Sequence, residues 1–314
     1  EDIVVENDAY KTGENERYMG ATVHPPVPGK HEMVVPFDYA SLYPTTIIAY
    51  NIDYHTWVPD HVRGIPDSMC HVFKWRECIG CEHDPKVIRV KELDEYIDNE
   101  KKRIKALRDR KNAMRVKDGK DAKDKAIKEI AKLDEDLKVY TTERADIKKT
   151  INKHISCCDR HYRFLKEPKG VVPTILQNLL DARKHTRKVD MVAAKKKMKE
   201  ASEEGNDDVV NDCKILLDVL DKRQLAYKVG CNSMYGAMGV RKGFLPFMAG
   251  AMCVTYMGRV NIDKSAQAIT SKYGGKLIYI DTDSNYIVFP HLKTAQETWD
   301  HAEYVAGEVT KLFP

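Results

Sequence analysis

Short apolar runs mark the two ends of this chain, and apolar residues at helical spacing mark its middle. Glu32-Met33-Val34-Val35-Pro36-Phe37-Asp38 is suited to a buried strand. Its Pro36 counts against a central place in a sheet, unless it lies near a bulge or an edge. Pro25 to Lys30 is a rigid turn region ahead of that strand. Pro44 sits just inside a helix start that leads to Ile47 and Ile48. Residues 17 to 50 therefore read as strand, turn, strand, turn, helix. Residues 244 to 272 have a helical pattern, and Lys276 to Phe289 predict two strands around a tight turn.

Between these ends the pattern predicts two helical pairs. In the first, Leu93, Ile97, Ile104, Leu107 and Met114 fall on one heptad-like stripe. Ile130, Leu133, Leu137, Tyr140, Ile147 and Ile151 fall on a second, and polar Lys117-Asp118-Gly119-Lys120-Asp121 separates them. The spacing predicts an antiparallel helical hairpin. More than half of the residues from Val90 to Ile155 are charged, with both signs mixed, which is the mark of a solvated spacer or docking arm. The second pair opens near Pro173-Thr174, carries Ile175, Leu176, Leu179 and Leu180, and runs to about Lys199. After a turn at Gly205 to Asp208, its partner carries Val209, Cys213, Leu216, Leu217, Leu220 and Gln224 on one side and ends in Tyr227 to Tyr235.

Composition narrows the class. The 314 residues are 42% hydrophobic, enough for one large core or two modest ones. No run of eighteen or more apolar residues appears, so no membrane span is expected. The first residues do not resemble a signal peptide. The absence of an initial Met and of a closing element at Leu312-Phe313-Pro314 points to a piece of a longer chain. A net charge of +4 does not by itself indicate a nucleic-acid partner. Eight unevenly spaced cysteines in a Lys-rich chain favour a reducing, intracellular compartment.

Three stretches carry candidate chemistry. Asp281-Thr282-Asp283 lies at the tip of the predicted hairpin, where its carboxylates can meet a cation, although turns favour Asp for purely local reasons. Asp38 ends the first strand, and a small polar loop after it enters a helix. That arrangement suits a hard cation and a phosphate at the helix start, though a plain helix cap would look similar. Lys228, Asn232 and Tyr235 form a polar and aromatic stripe, with Gln224 one turn before Lys228, on an otherwise apolar helix. A cation, an amide and a ring together suit a triphosphate and a base pair; a solvated face with one core Tyr is the bland alternative.

Taken in order, Asp38-Tyr-Ala-Ser-Leu-Tyr-Pro44, Lys228-x-x-x-Asn-Ser-x-Tyr-Gly236 and Tyr279-x-Asp-Thr-Asp-Ser284 resemble motifs A, B and C of the family B DNA polymerases. Tyr18-x-Gly-Ala-x-Val-x-x-Pro-x-x-Gly29, Gly170-Val-Val-Pro-x-Ile-Leu176 and Ala182-Arg-Lys184 resemble segments flanking those motifs. The agreement is closest to eukaryotic delta-type replicative enzymes and their relatives in large DNA viruses, and it covers nearly all of the chain except about Val90 to Ile155. Thr46, Gly230, Cys231 and Ala237 depart from the usual residues, but none of them removes a charged or gating group.

The resemblance implies an α+β fold: an antiparallel-sheet palm, a helical fingers pair and an inserted charged helical hairpin. It divides the chain into palm with motif A (1–89), hairpin (90–155), fingers with motif B (156–240) and palm with motif C (241–314). The implied reaction is template-directed addition of deoxynucleotides to a primer 3′-end by a two-metal mechanism. Asp38 and Asp283 would hold two Mg²⁺ ions with the Tyr39 carbonyl, and Asp281 would be a weaker ligand or order the site. The N–H groups of Ser41 and Leu42 would meet the β- and γ-phosphates. Arg183, Arg187 and Lys228 would neutralise the triphosphate, and Asn232 would contact it or the base pair. Tyr235 would pack on the nascent pair, and Tyr43 would block a ribose 2′-hydroxyl. Primer-template DNA and deoxynucleoside triphosphates are the implied partners, with a sliding clamp suggested by the family alone. The implied place of action is the nucleus or a viral replication site in the cytoplasm.

The rivals are a reverse transcriptase or RNA polymerase sharing such a palm, and a non-catalytic scaffold derived from a polymerase. Tyr43 with the Lys228 stripe argues against the first, and intact Asp38 and Asp283 against the second. Separately, Cys78, Cys81 and His83, and Cys157, Cys158 and His161, bracket the charged hairpin at ligand-like spacing. They would bind Zn²⁺ if the hairpin returns to its base. Unconnected thiols and surface histidines are the commoner outcome for such clusters.

Overall fold

The structure, a computed structural model, describes residues 18–113, 120–151, 156–240, 243 and 245–314. It is a mixture of helices and antiparallel sheet in two compact units. One unit holds Glu1–Lys74 with His161–Pro314, and the other holds Trp75–Arg160. No helix among the described residues is long and apolar enough to cross a membrane.

In the first unit, β1 (Val23–His24), β2 (Val35–Asp38), β5 (Lys276–Asp281) and β6 (Ser284–Val288) form a sheet in the order β1-β5-β6-β2. Every pairing is antiparallel. β2 is thus an edge strand and only partly buried, not the buried strand its apolar run predicts. Pro36 explains this, because it can give no ladder hydrogen bond and is tolerated at an edge. Side chains alternate across the strands. Val35, Phe37, Leu277 and Ile287 point to one face, where Ile269, Phe289, Ala302, Val305 and Val309 complete a core. Helices α7 (Met248–Lys272) and α8 (Ala295–Thr310) supply the helical half of that core. Fifteen of α7's residues are buried, and its first two turns, Met248 to Thr255, are buried on every side. The opposite face carries Asp38, Ser284, Tyr286, Tyr279 and Asp281, all half-buried or exposed.

A helical layer stands beside the sheet. It contains α1 (Leu42–Ala49), α4 (Val171–His185), α5 (Met191–Glu203) and α6 (Asp207–Met238). The predicted continuous helix to Lys199 is interrupted: Thr186–Asp190 form one π-helical turn between α4 and α5. Asp190, at the end of that turn, is paired with Arg223 of α6 and lies 3.3 Å from His185 Nδ1. On α6 the buried seam is narrower than the predicted stripe. Cys213 and Leu220 are buried, whereas Leu216 is 46% exposed.

In the second unit, α2 (Pro85–Ala113) and α3 (Lys120–Thr150) pack against each other through Ile104, Ile130 and Leu133, with Leu107 and Leu137 beside them. Arg89–Glu143 and Arg144–Asp94 ion pairs join the first half of α2 to the second half of α3, and Arg103–Glu129 and Arg108–Asp134 join the second half of α2 to the first half of α3. Met114 and the predicted joining residues Lys117 to Gly119 lie outside the described residues. Two ten-residue strands, β3 (Cys70–Ile79) and β4 (Ser156–Leu165), pair with each other on either side of this hairpin. The boundary between the units falls inside them.

Candidate active site

Sheet register brings distant acids together. Asp38 of β2 and Asp281 of β5 both stand opposite Ser284 of β6, so all three share the open face at one end of the sheet. Ser284 Oγ donates to Asp38 Oδ1 at 2.7 Å. The turn between β5 and β6 is tight, with Thr282 at φ 53° in the left-handed region. Asp283 N–H bonds back to the Asp281 carbonyl at 2.6 Å, and Tyr39 N–H bonds to the Asp283 carbonyl at 2.9 Å. The last bond ties the residue after Asp38 to the hairpin tip. The separation in sequence between Asp38 and Asp283 is thereby closed by backbone hydrogen bonds, not by the side chains themselves.

The loop after Asp38 is conformationally special. Ser41, the residue before α1, has φ 66° and ψ 56°, a region that non-glycine residues seldom occupy. Its side chain makes no capping bond. The first-turn N–H groups of a helix have no carbonyl partners within that helix, so the start of α1 is a natural seat for an anion.

A polar knot fixes the end of α1 to the start of α4. Asn51 Nδ2 donates to the Leu165 and Pro168 carbonyls, both at 2.9 Å, and its Oδ1 accepts from Gly170 N at 2.8 Å. The Asp53 side chain is fully buried and accepts from Val172 N at 2.6 Å and His55 N at 2.8 Å. It thereby caps the first turn of α4. A Cβ on Gly170 would fall 2.5 Å from Asp53 Cβ, so glycine is needed for that approach. With its start held, α4 directs Arg183 and the π turn directs Arg187 toward Asp38. Arg183 Nε is steadied by Gln224 Oε1 of α6 at 3.2 Å.

These elements enclose a cavity of about 410 Å³. Asp38, Tyr39, Ser41, Leu42 and Tyr43 line one side of it. Arg183 and Arg187 line another, with Lys228 and Asn232 from α6, and Asp283 and Thr282 come from the hairpin tip. Asp281 and Tyr235, expected in the same group, do not line it. Asp281 is exposed beside the cavity, with Thr282 Oγ1 at 3.1 Å and the Tyr279 hydroxyl at 3.4 Å. Tyr235 stands behind Tyr43, ring centroids 4.5 Å apart, with its hydroxyl 3.2 Å from that of Tyr18.

The electrostatics match the lining. Partial burial, then the charge of Asp38, raises the Asp283 carboxyl above its ordinary value, while Lys228 pulls it down. Two carboxylates that repel each other beside a hard-oxygen loop suit a divalent cation, which would relieve that repulsion. The basic side chains on the far side suit a polyanion. Burial also raises the Tyr43 hydroxyl, opposed by Arg259 of α7. A larger cavity of about 790 Å³ lies on the α7–α8 side of the sheet. Among the described residues it is lined by ones such as Val35, Ile269, Val309 and Phe313 and by no Lys or Arg, which does not suit a phosphate.

Three contributors escape the sequence reading. Thr282 lines the cavity, Arg259 interacts with Tyr43 and Tyr235, and Gly258 backs the Tyr43 ring. No local signal singles out Arg259, because Asn261, Asp263 and Lys264 follow it on the same helix. The Cys/His reading is met in part. Cys78, Cys81, His83 and Cys157 converge, with ligand atoms all within 4.8 Å of one another. Cys158 follows Cys157 on a strand, where successive side chains take opposite faces, and it is not in the group. His161 is not in it either: its Nδ1 lies 3.0 Å from Asp60 Oδ1.

Comparison with known proteins identifies the family. The family model for DNA polymerase family B matches residues 1–154 and 135–314. The chain is 42% identical over 319 residues to DNA polymerase 120R of Invertebrate iridescent virus 3, covering 99% of this chain and 25% of that protein. It is 26% identical to the DNA polymerase delta catalytic subunit of Schizosaccharomyces pombe, covering 100% of this chain and 20% of the yeast protein. Among solved structures, a family B DNA polymerase from the archaeon Pyrobaculum calidifontis aligns over 95% of this chain and 25% of its own, with a TM-score of 0.47 and 20% identity. The chain thus spans about a quarter of the length of the viral relative. It belongs to DNA polymerase family B.

Proposed function

We propose that the chain is the catalytic core of a DNA-directed DNA polymerase, adding deoxynucleotides to a primer 3′-end against a template. The observation that carries this reading is the single cavity in which Asp38 and Asp283 face Arg183, Arg187, Lys228 and Asn232 across the start of α1. In this reading the sheet with α7 and α8 is the palm, and α4 to α6 are the fingers.

Asp38, Asp283 and the Tyr39 carbonyl would hold two Mg²⁺ ions, which would supply acidification of the primer 3′-hydroxyl and neutralisation of the charge on the leaving pyrophosphate. The protein's own groups do the rest. The N–H groups of Ser41 and Leu42 receive the β- and γ-phosphates at the helix start. Arg183 and Arg187 neutralise the triphosphate from one side and Lys228 from the other, and Asn232 orients it. Asp281 orders the hairpin tip from outside the cavity. Tyr43 forms the floor beneath the sugar, with Tyr235 behind it, leaving no room for a 2′-hydroxyl.

The test is Asp38→Asn and Asp283→Asn, made separately in the full-length protein that carries this chain. Each is expected to reduce primer extension by about 10³-fold or more, the equivalent of about 4 kcal/mol of lost transition-state stabilisation. Primer-template affinity should stay close to wild type. Unchanged extension in either variant would refute the assignment and favour a non-catalytic role.

A further inference from the structure

The second unit holds a cluster that nucleotide addition does not use. β3 ends in Cys78-Ile79, and Gly80 turns the chain back with φ 65°. Asp84 pins that turn by accepting from Gly80 N at 2.5 Å and Lys86 N at 2.8 Å. Asp84 N–H in turn bonds to the Cys81 carbonyl at 3.0 Å. Cys81 and His83 are thereby presented beside Cys78, and β4 delivers Cys157 from the far end of the α2–α3 hairpin.

We propose that Cys78, Cys81, His83 and Cys157 form a structural zinc site that clips together the two ends of the charged helical hairpin. A tetrahedral ion with Zn–S bonds of about 2.3 Å has S···S edges of about 3.8 Å, and with Zn–N of about 2.0 Å its S···N edges are about 3.5 Å. The Cys78 and Cys157 sulfurs are 3.8 Å apart, and Cys157 Sγ is 3.9 Å from His83 Nδ1. A disulfide between Cys78 and Cys157 would need an S–S distance near 2 Å. Three thiolates and one imidazole are the ligand set of closed, four-coordinate zinc, with no position left for substrate water. An iron–sulfur cluster fits less well, because its ligands bind separate irons and must stand farther apart than one ion's donors.

The surroundings support a metal site over loose thiols. Cys78 and Cys81 are buried, while His83 and Cys157 close the site from the solvent side. The Arg76 guanidinium neighbours Cys157, a cation placed to favour a thiolate ligand there. The turn that carries three of the ligands is fixed by Asp84 independently of any ion. Binding exchanges three thiol protons for the cation, leaving a site of net charge −1 that the Arg76 guanidinium offsets. The role is mechanical. All ligands lie within Trp75–Arg160, so the ion would close the loop formed by the whole hairpin and restrict its base.

The test measures metal directly. The 314-residue chain, purified under reducing conditions without chelator, should contain close to one zinc per chain by elemental analysis. Replacing zinc with Co²⁺ should give the intense visible bands of a tetrahedral thiolate site. Cys157→Ser should lose at least half of the zinc and the tetrahedral cobalt spectrum, whereas Cys158→Ser should keep both. Far-UV circular dichroism of the Cys157→Ser chain checks that α2 and α3 persist. If Cys157→Ser does not fold, His83→Ala, which removes the solvent-side ligand, is read in the same way. Substoichiometric zinc with no tetrahedral cobalt spectrum in the wild-type chain overturns the proposal. So does equal loss of metal in Cys158→Ser and Cys157→Ser, or iron with acid-labile sulfide in place of zinc.

Discussion

Tyr43 shows how a residue's role depends on what lies behind it. Its ring packs on Tyr235 and its edge rests over Gly258, where a Cβ would fall 2.9 Å from Tyr43 Cε1. Only glycine at 258 lets the ring sit back from the cavity that Tyr43 lines. In the full-length enzyme, Tyr43→Ala should open the space beneath the sugar and lower discrimination against ribonucleotides by about 10²-fold, the scale on which a pocket separates substrates by one small group. Gly258→Ala should act in the opposite sense, pushing the ring forward and raising KM for deoxynucleotides. Single-nucleotide insertion with matched deoxy- and ribonucleotides measures both ratios. An unaltered sugar ratio in Tyr43→Ala, with normal deoxynucleotide insertion, removes the gate assignment. The two residues differ in legibility for a physical reason. Tyr43 lies in a local motif, whereas Gly258 matters only through a contact made across the fold. Arg259 and Thr282 escape the sequence reading on the same ground. Asp281 and Tyr235 sit in motifs yet fall just outside the cavity, because a motif fixes neighbours along the chain and not the direction of each side chain.

At the scale of elements, the strand and helix assignments follow from periodicity where a face is buried and fail where tertiary context decides. The Lys276–Phe289 hairpin and the α2–α3 pair follow the apolar pattern directly. Nothing in that pattern predicts β3 or β4, whose residues alternate poorly. The signal for α8 is the capping box of Thr294 and Glu297, which is present in both directions. The π turn at Thr186–Asp190 is silent in sequence, since it depends on Asp190 meeting Arg223 of a different helix. The same dependence applies to the start of α4, which is capped by Asp53 from across the fold. Asp53→Ala should therefore leave the buried Val172 N–H without its acceptor and remove the partner of the solvent-side His55 N–H, at a cost of about 1–3 kcal/mol. Chemical denaturation of the 314-residue chain measures it. Loosening α4 should also weaken nucleotide binding through Arg183, so KM for deoxynucleotides should rise more than kcat falls. A loss under about 0.5 kcal/mol would mean that the knot does not hold α4.

At the scale of the whole molecule, the cavity residues and the charged hairpin belong to different units. Among the described residues, every one lining the nucleotide-sized cavity belongs to the first unit, and none lies in Trp75–Arg160. The hairpin has its own core around Ile104, Ile130 and Leu133. Four of its arginines, Arg89, Arg103, Arg108 and Arg144, are committed to carboxylates of the same hairpin. Exposed pairs of this kind add little stability, but they leave those cations less available to phosphates. Replacing residues 85–150 with a short Gly/Ser linker, in the full-length protein, should therefore leave primer extension in place. The slope of log affinity for primer-template against log salt counts the phosphates neutralised, and each one lost would reduce it by about 0.9. Deletion of an arm that takes no part in DNA binding leaves that slope unchanged, whereas an arm lying along the duplex shortens it by several such steps. Extension falling as far as in Asp38→Asn, with the first unit still melting normally, would show that the arm contributes to the reaction after all. A flattened salt slope with normal extension would instead make the hairpin a DNA-holding arm whose lysines, not its paired arginines, meet the backbone.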